Sequence, residues 1–341
     1  MKKFLSLSLF VMLALFLAAC GNDDSSGDDT TDGDETSGEW EPEQSIEIVA
    51  PAGAGGGWDT TARMAAQVFQ EEGIISEDIG VVNKPGGGGA VGWAYIANQE
   101  GSNHNLFVSS SPILLVPLSG QSEYGHEDFT PIANVIADYG AFAVNADAPW
   151  EDLNELFEDM KEDPSSITVV GTSSPGSMDH IQFVRFAKAA GVDITKIKYV
   201  SAPDADGITQ ILNGSADVYS TGVAEVVEQA KAGNIRVLAV TSEERLDGDT
   251  LSDFPTAKEQ GIDEVFINWR GFFGPPGMDQ AAVDYYEAKF KELSDSDAFA
   301  EIRANYGWDE MYMGSEEYKQ FLDEEKESLE SILEELNLLG E

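Results

Sequence analysis

Twice near its start, this chain sets a short apolar run against a row of glycines and follows the row with a helical pattern. Ile46, Ile48 and Ala50 alternate as a strand does, and Pro51-Ala-Gly-Ala-Gly-Gly-Gly-Trp-Asp-Thr-Thr-Ala-Arg63 comes next. Ala62, Ala65, Ala66 and Phe69 then fall at i, i+3, i+4 and i+7, one face of a helix. Asp59 stands where an N-cap belongs. The second unit runs Ile79–Asn83, then Lys84-Pro85-Gly86-Gly87-Gly88-Gly89, then a helical stretch from Ala90 to Asn98. Glycine keeps Cβ atoms clear of bare N–H groups. The first turn of a helix adds unpaired donors and the positive end of its dipole. Such a loop suits an anion. In a parallel α/β sheet both loops lie at the carboxyl edge, where ligands bind.

Three readings of the glycine rows compete. They are tight turns without a ligand, a nucleotide loop, or a cradle that holds a small carboxylate by backbone donors. Gly87-x-Gly89-x-x-Gly92 fits the dinucleotide pattern in the right context. The acidic ribose partner is missing, because the next strand ends in Ser109, Ser110 and Ser111, and no Gly-x-x-x-x-Gly-Lys-Ser/Thr occurs. Four glycines in a row exceed what a plain turn asks for. Carboxylate capture is the expectation, with Gly55, Gly56, Gly57, Trp58, Asp59, Gly86, Gly87, Gly88, Ser109 and Ser110 as candidate ligand residues.

Residues 1–20 read as an export signal. Lys2 and Lys3 precede the apolar run Phe4–Leu17, which is short for a membrane span. Leu17-Ala18-Ala19-Cys20-Gly21 resembles a bacterial lipobox, so Cys20 is the expected lipid attachment site. It is the only cysteine, which excludes a disulfide within the chain. Residues 21–44 hold ten acids and no base, a composition that buries no core and reads as a solvated tether. The whole chain sets 63 acids against 19 Lys and Arg, for a formal charge of −44. Nucleic acid and anionic lipid surfaces are therefore poor partners.

Beyond the tether, strands and helices alternate. Strands are expected at Leu106–Ser110, Ile132–Ile136, Phe142–Val144, Ile167–Val170, Ile197–Val200, Ala216–Tyr219, Ile235–Val240 and Val265–Asn268. Helices are expected at Trp150–Glu162, Met178–Ala190, Ile208–Asn213, Val223–Ala232, Gln280–Leu293 and Ser315–Leu338. The pattern predicts an α/β architecture with mostly parallel sheets. A third loop, Gly171-Thr-Ser-Ser-Pro-Gly-Ser177, ends a strand and opens a helix, and its hydroxyls and N–H groups suit polar groups of a ligand. Ser173, Ser174, Gly176 and Ser177 are its candidates, with an ordinary capped helix start as the alternative. A fourth loop, Ser201-Ala-Pro-Asp-Ala-Asp-Gly207, supplies Pro203 and Asp204.

An enzyme is not expected. His104, His126 and His180 are scattered without metal-ligand spacing, no Gly-x-Ser-x-Gly occurs, and the mature fold has no thiol nucleophile. His180 reads as a helix-start or packing residue. Arg245 and Arg270 read as pairing residues. Neither metal nor cofactor is called for.

Several motifs together resemble the tripartite tricarboxylate transporter receptor family, the Bug-type extracytoplasmic solute receptors. They are Pro51 to Arg63; Asn83-Lys-Pro-Gly86-x-Gly-Gly; Gly171-x-Ser173-x-x-Gly176-Ser177-x-x-His180; Ile211-Leu-Asn-Gly214-x-Ala-Asp217; Gly233 to Arg245; Phe254-Pro-Thr256-x-x-Glu259-x-Gly261; and Trp269-x-Gly271-Phe-Phe-x-Pro275. They run in order from about residue 45 to the end. The resemblance implies a two-lobed periplasmic-binding-protein-like fold, type II-like, with a hinge and an interlobe ligand cleft. Phe142–Val144 and Ile235–Val240 are the expected crossovers, which makes 45–142 plus 241–341 one lobe and 143–240 the other. It also implies that the first two loops grip a ligand carboxylate, a di- or tricarboxylate or similar organic anion, while the third and fourth close on the rest. The expected protein is a monomer outside the cytoplasm, held to the membrane by its lipid alone, passing its solute to the membrane subunits of a tripartite transporter. A ligand-sensing module for a signalling partner and a secreted hydrolase are the alternatives. Three departures bear on ligand identity: Ala54 replaces the family's usual proline, Tyr199-Val-Ser replaces its Tyr-x-Gly, and Trp58 fills a usually small position.

Overall fold

The computed structural model describes residues 40–202 and 206–340. The export signal with Cys20, the tether through Glu39, and Pro203, Asp204 and Ala205 lie outside the described residues. The tether is expected to run to Gln44, yet Trp40 already packs on the folded part, 5.3 Å from the Tyr285 ring and 5.6 Å from that of Tyr286.

The first glycine unit folds as β1 (Ile46–Ala50) and α1 (Gly57–Glu71), and the second as β2 (Ile79–Asn83) and α2 (Ala90–Ala97). Then follow β3 (Asn105–Ser109), α3 (Pro112–Leu118) and β4 (Thr130–Asn145). The middle of the chain is α4 (Leu153–Glu162), β5 (Thr168–Gly171), α5 (Met178–Ala189), β6 (Lys198–Ser201), α6 (Asp206–Asn213), β7 (Val218–Gly222), α7 (Val227–Lys231) and β8 (Ile235–Val240). The last part is β9 (Ile267–Gly274), α8 (Gln280–Asp295), α9 (Asp297–Tyr306), β10 (Asp309–Gly314) and α10 (Ser315–Glu335).

Strand order is β2-β1-β3-β9-β4-β7-β5-β6, with β8 and β10 also paired to β4. The sheet is mixed rather than mostly parallel. β1 pairs in parallel with β2 and β3, and β5 with β6 and β7, but every pairing of β4 is antiparallel. The two strands expected at Ile132–Ile136 and Phe142–Val144 are one, the 16-residue β4. Its first part, Thr130 to Tyr139, pairs with β9; its second, Gly140 to Val144, pairs with β7. The apparent break between them is Ala137-Asp-Tyr-Gly140. Asp138 is tolerated there because Arg270 of β9 pairs with it, and Gly140 because the Gln182 side chain fills the space a Cβ would take.

Apolar side chains bury both faces of this sheet. Phe107 of β3 stacks on Phe273 of β9 at 5.1 Å, and Phe142 of β4 meets Phe183 of α5 at 5.4 Å. Residues 241–257 were expected with the first part of the chain but pack on β8. Thr256 bridges Val240, whose N–H donates to the Pro255 carbonyl at 2.8 Å. The last helix buries Tyr318, Leu322, Leu329, Ile332 and Leu333. That helix reaches β4 and α3 as well as α5, where Arg185 lies 3.8 Å from Glu325 and Lys188 pairs with Glu335.

The four glycines of the second row have φ of 130°, 60°, 65° and 117°, which L side chains avoid. A Cβ on Gly89 would also overlap the buried Trp93 ring. We therefore expect Gly89→Ala to cost about 2 kcal/mol or more in urea unfolding. Gly53→Ala, with nothing within 4 Å of the added carbon, should stay close to wild type. Equal stability of the two variants would show that the row is not conformationally required.

Candidate functional site

A cleft of about 720 Å³ opens between two walls. The near wall is Ala52, Ala54 to Trp58, Ser110, Asp138, Asn268, Arg270, Tyr306 and Trp308; the far wall is Thr172, Ser173, Met178, Asp179, Ile208, Tyr219, Gly222, Ala224 and Glu225. Its size suits a small-molecule ligand.

At the near wall α1 begins at Gly57, with Gly56 in the N-cap position and no side-chain cap. The first N–H groups of this helix have no intrahelical acceptor, and Gly57 and Trp58 line the cleft. Asp59 does not cap the helix. It sits in the first turn, 3% exposed, and accepts from Gly55 N at 2.8 Å, Arg63 Nε at 2.9 Å and Asn83 Nδ2 at 2.8 Å. Burial works to raise its pKa, but the bonds from Arg63, Gly55 and Asn83 outweigh that and hold it below the ordinary value. Its task is to fix the glycine loop. Trp58 donates from Nε1 to Ser110 Oγ at 2.9 Å, tying the loop to the end of β3.

Arg270 lies on the cleft floor, 7% exposed. Nη1 donates to the Gly57 carbonyl at 3.0 Å and to Thr61 Oγ1 at 3.2 Å, while Nη2 pairs with Asp138. A Cβ on Gly57 would overlap the guanidinium, which explains glycine at that position. Arg245 is elsewhere, paired with Glu259 at 2.9 Å.

At the far wall Asp179 accepts from Thr172 N and Thr172 Oγ1, each at 2.8 Å, and from Ser173 N at 2.9 Å; Asp179 N donates back to Ser173 Oγ at 2.9 Å. Burial, reinforced by the charge of Glu225, pushes the Asp179 carboxyl up to about 6. His180 faces away into packing. Its Nδ1 accepts from Gly176 N at 3.0 Å and its ring lies 4.5 Å from that of Tyr199.

Of the residues expected from sequence, Gly55, Gly56, Gly57, Trp58, Ser110 and Ser173 line the cleft. Gly86, Gly87 and Gly88 do not. Their loop closes on itself, Gly89 N and Val91 N both donating to the Gly86 carbonyl, and Gly88 sits against Val116 of α3. Ser109 is buried behind Ser110, Ser174 is exposed, Gly176 lies under Leu333 and Leu338, and Ser177 is the N-cap residue of α5. Asp138, Asp179, Glu225, Asn268, Tyr306 and Trp308 were missed. Asp138 alone left a signal, an acid inside an apolar run. One group with metal-ligand potential occurs among the described residues, His126, Glu127 and Asp323, away from the cleft. Its atoms are engaged: His126 with Asp323 at 3.1 Å and Glu127 with Lys326 at 2.7 Å.

Comparison with known proteins fits this geometry. The model of the tripartite tricarboxylate transporter family receptor matches residues 62–338. A protein from the gbd 5' region of Cupriavidus necator is 28% identical over 302 residues, 87% of this chain and 89% of that one. The crystal structure of a solute-binding protein from Polaromonas is 27% identical with a TM-score of 0.66, covering 86% of this chain and 99% of that one. An R. palustris protein solved with adipate is 20% identical with a TM-score of 0.76, covering 88% and 99%.

Burial holds the His180 pKa down, to about 4. A histidine whose folded pKa lies below its unfolded value, about 6.5, lends stability that is complete above the unfolded value. That stability is lost as pH falls through the folded pKa. His180→Gln should therefore lose less stability than wild type as the pH is lowered from neutrality to about 4. Urea unfolding across that range measures it, and parallel curves would refute the assignment.

Proposed function

We propose that this chain, which belongs to the tripartite tricarboxylate transporter receptor family, captures a small carboxylate at the start of α1 and delivers it to a membrane transporter. The family and the solved relatives are solute-binding receptors of two-lobed α/β fold, not enzymes. The observation that carries the carboxylate reading is the uncapped opening of α1 onto the cleft, beside glycines that leave the backbone bare. Adipate in the R. palustris relative supports it. Net charge opposes an anion, but screening limits surface charges to about 8 Å at physiological ionic strength. A hydrogen bond to an ionised group acts at contact and is worth about 1.5–3 kcal/mol, so local donors win.

In this reading the lobes divide along β4 and along the return from β8 to β9. The ladder partners of β4 change at Gly140, and Phe266 N donates to the Thr241 carbonyl beside it at 3.1 Å. The 241–266 segment then moves with the middle lobe, and α10 reaches across both. No described helix is long and apolar enough to cross a membrane. Anchoring falls to Cys20, and Cys20→Ala is expected to move the protein from the membrane fraction to the soluble one. Retention equal to wild type would exclude a lipid anchor there.

The test of capture is calorimetry with short carboxylates, circular dichroism serving as the folding control. Gly57→Ala displaces Arg270 and the first N–H groups, and should weaken binding at least about tenfold, the worth of one such bond. Gly88→Ala, off the cleft, should cost stability and leave affinity near wild type. Normal binding by a folded Gly57→Ala protein would place the carboxylate elsewhere.

A further inference from the structure

Three acids and one arginine line the cleft, and they do not balance. Asp138 and Arg270 pair with each other. Asp179 and Glu225 remain on the far wall, and neither forms an ion pair among the described residues. Glu225 accepts from the Tyr219 hydroxyl at 3.3 Å and from the Thr221 hydroxyl, both neutral groups.

Three donors of this wall are already engaged. Thr172 N, Thr172 Oγ1 and Ser173 N, which would otherwise suit the far carboxylate of a dicarboxylic ligand, all converge on Asp179 Oδ2. The Tyr199 hydroxyl donates to the Ser173 carbonyl at 2.8 Å. Acceptors are what is left over. Asp179 Oδ1 is fully buried without a partner, and Asn268 Oδ1, on a residue 4% exposed, is in the same position. A buried acceptor without a donor is costly, and an ionised aspartate has no donor of its own to turn toward a ligand.

We infer that the cleft selects a carboxylate whose far end carries a protonated amine, received by Asp179 with Glu225 beside it, over a dicarboxylate of the same length. The inference rests on capture of the carboxylate at α1 and names the ligand class for that site. An ammonium supplies the donors that Asp179 Oδ1 lacks and offsets one of the two negative charges, whereas a second carboxylate meets like charge, with Thr172 N, Thr172 Oγ1 and Ser173 N already bonded to Asp179. Burial and the neighbouring Glu225 both penalise an ionised Asp179, and a cation in the cleft relieves both.

Two ligand trios test this in calorimetry: γ-aminobutyrate against succinate and butyrate, and ε-aminocaproate against adipate and caproate. The amino acid of at least one trio should bind about tenfold or more tighter than its dicarboxylate. Glu225→Gln, on the exposed side of the wall, and Asp179→Asn, which keeps an acceptor for Thr172 and Ser173, should each shrink that preference. If dicarboxylates bind as tightly as the amino acids or more so, or if both folded variants keep the wild-type preference, the inference is overturned while carboxylate capture stands. If no member of either trio binds, both readings fail.

Discussion

The buried contact between Arg270 and Asp138 determines where the cleft is. It joins β9 to the middle of β4, and through the Gly57 carbonyl and Thr61 it fixes the start of α1 against both. Burial pushes the Asp138 carboxyl up and the Arg270 guanidinium opposes that. A pair of this kind gains little net stability, since desolvation offsets attraction, but removing one partner costs about 3–5 kcal/mol. Its value here is positional. With the guanidinium occupied by Asp138, the proposed carboxylate end of the cleft offers backbone donors rather than a free positive charge. In the proposed reading, that leaves the charge of the opposite wall to discriminate among ligands.

The elements built from local pattern were legible in the sequence. Periodicity placed α1, α5, α8 and α10 and most of the strands, and the glycine row before α1 does border the cleft. The second row shows the limit of that logic. Identical composition there serves four left-handed φ values and the close approach of Trp93 and Val116, not a ligand wall. α3 was not seen because Pro112 to Leu118 is apolar almost all round and shows no stripe. β10 was missed because only its pairing to β4 makes it a strand.

The site was less legible than the fold, for a nonlocal reason. Asp138 and Arg270 are 132 positions apart, and nothing in either neighbourhood announces the other. Asp179 looked like an ordinary first-turn acid in α5; its importance comes from the turn of β5 that folds three donors onto one of its oxygens. Glu225 follows β7 in a short helical turn and reaches the cleft only because β7 lies between β4 and β5. The proposed anion cradle is plainer in the sequence than the side chains of the opposite wall.

β4 also has a mechanical character. A hydrogen-bonded ladder in regular register is stiff along its length, and an irregularity is where it yields. β4 breaks register against β9 between Asn134 and Ile136, and against β8 between Phe142 and Ala143. Asp138 lies between these two points, held by Arg270. In the proposed two-lobed reading, bending of this strand falls at its register irregularities, on either side of the Asp138 that Arg270 holds. In that reading Asp138 and Arg270, on the cleft lining, stay together while the two lobes move.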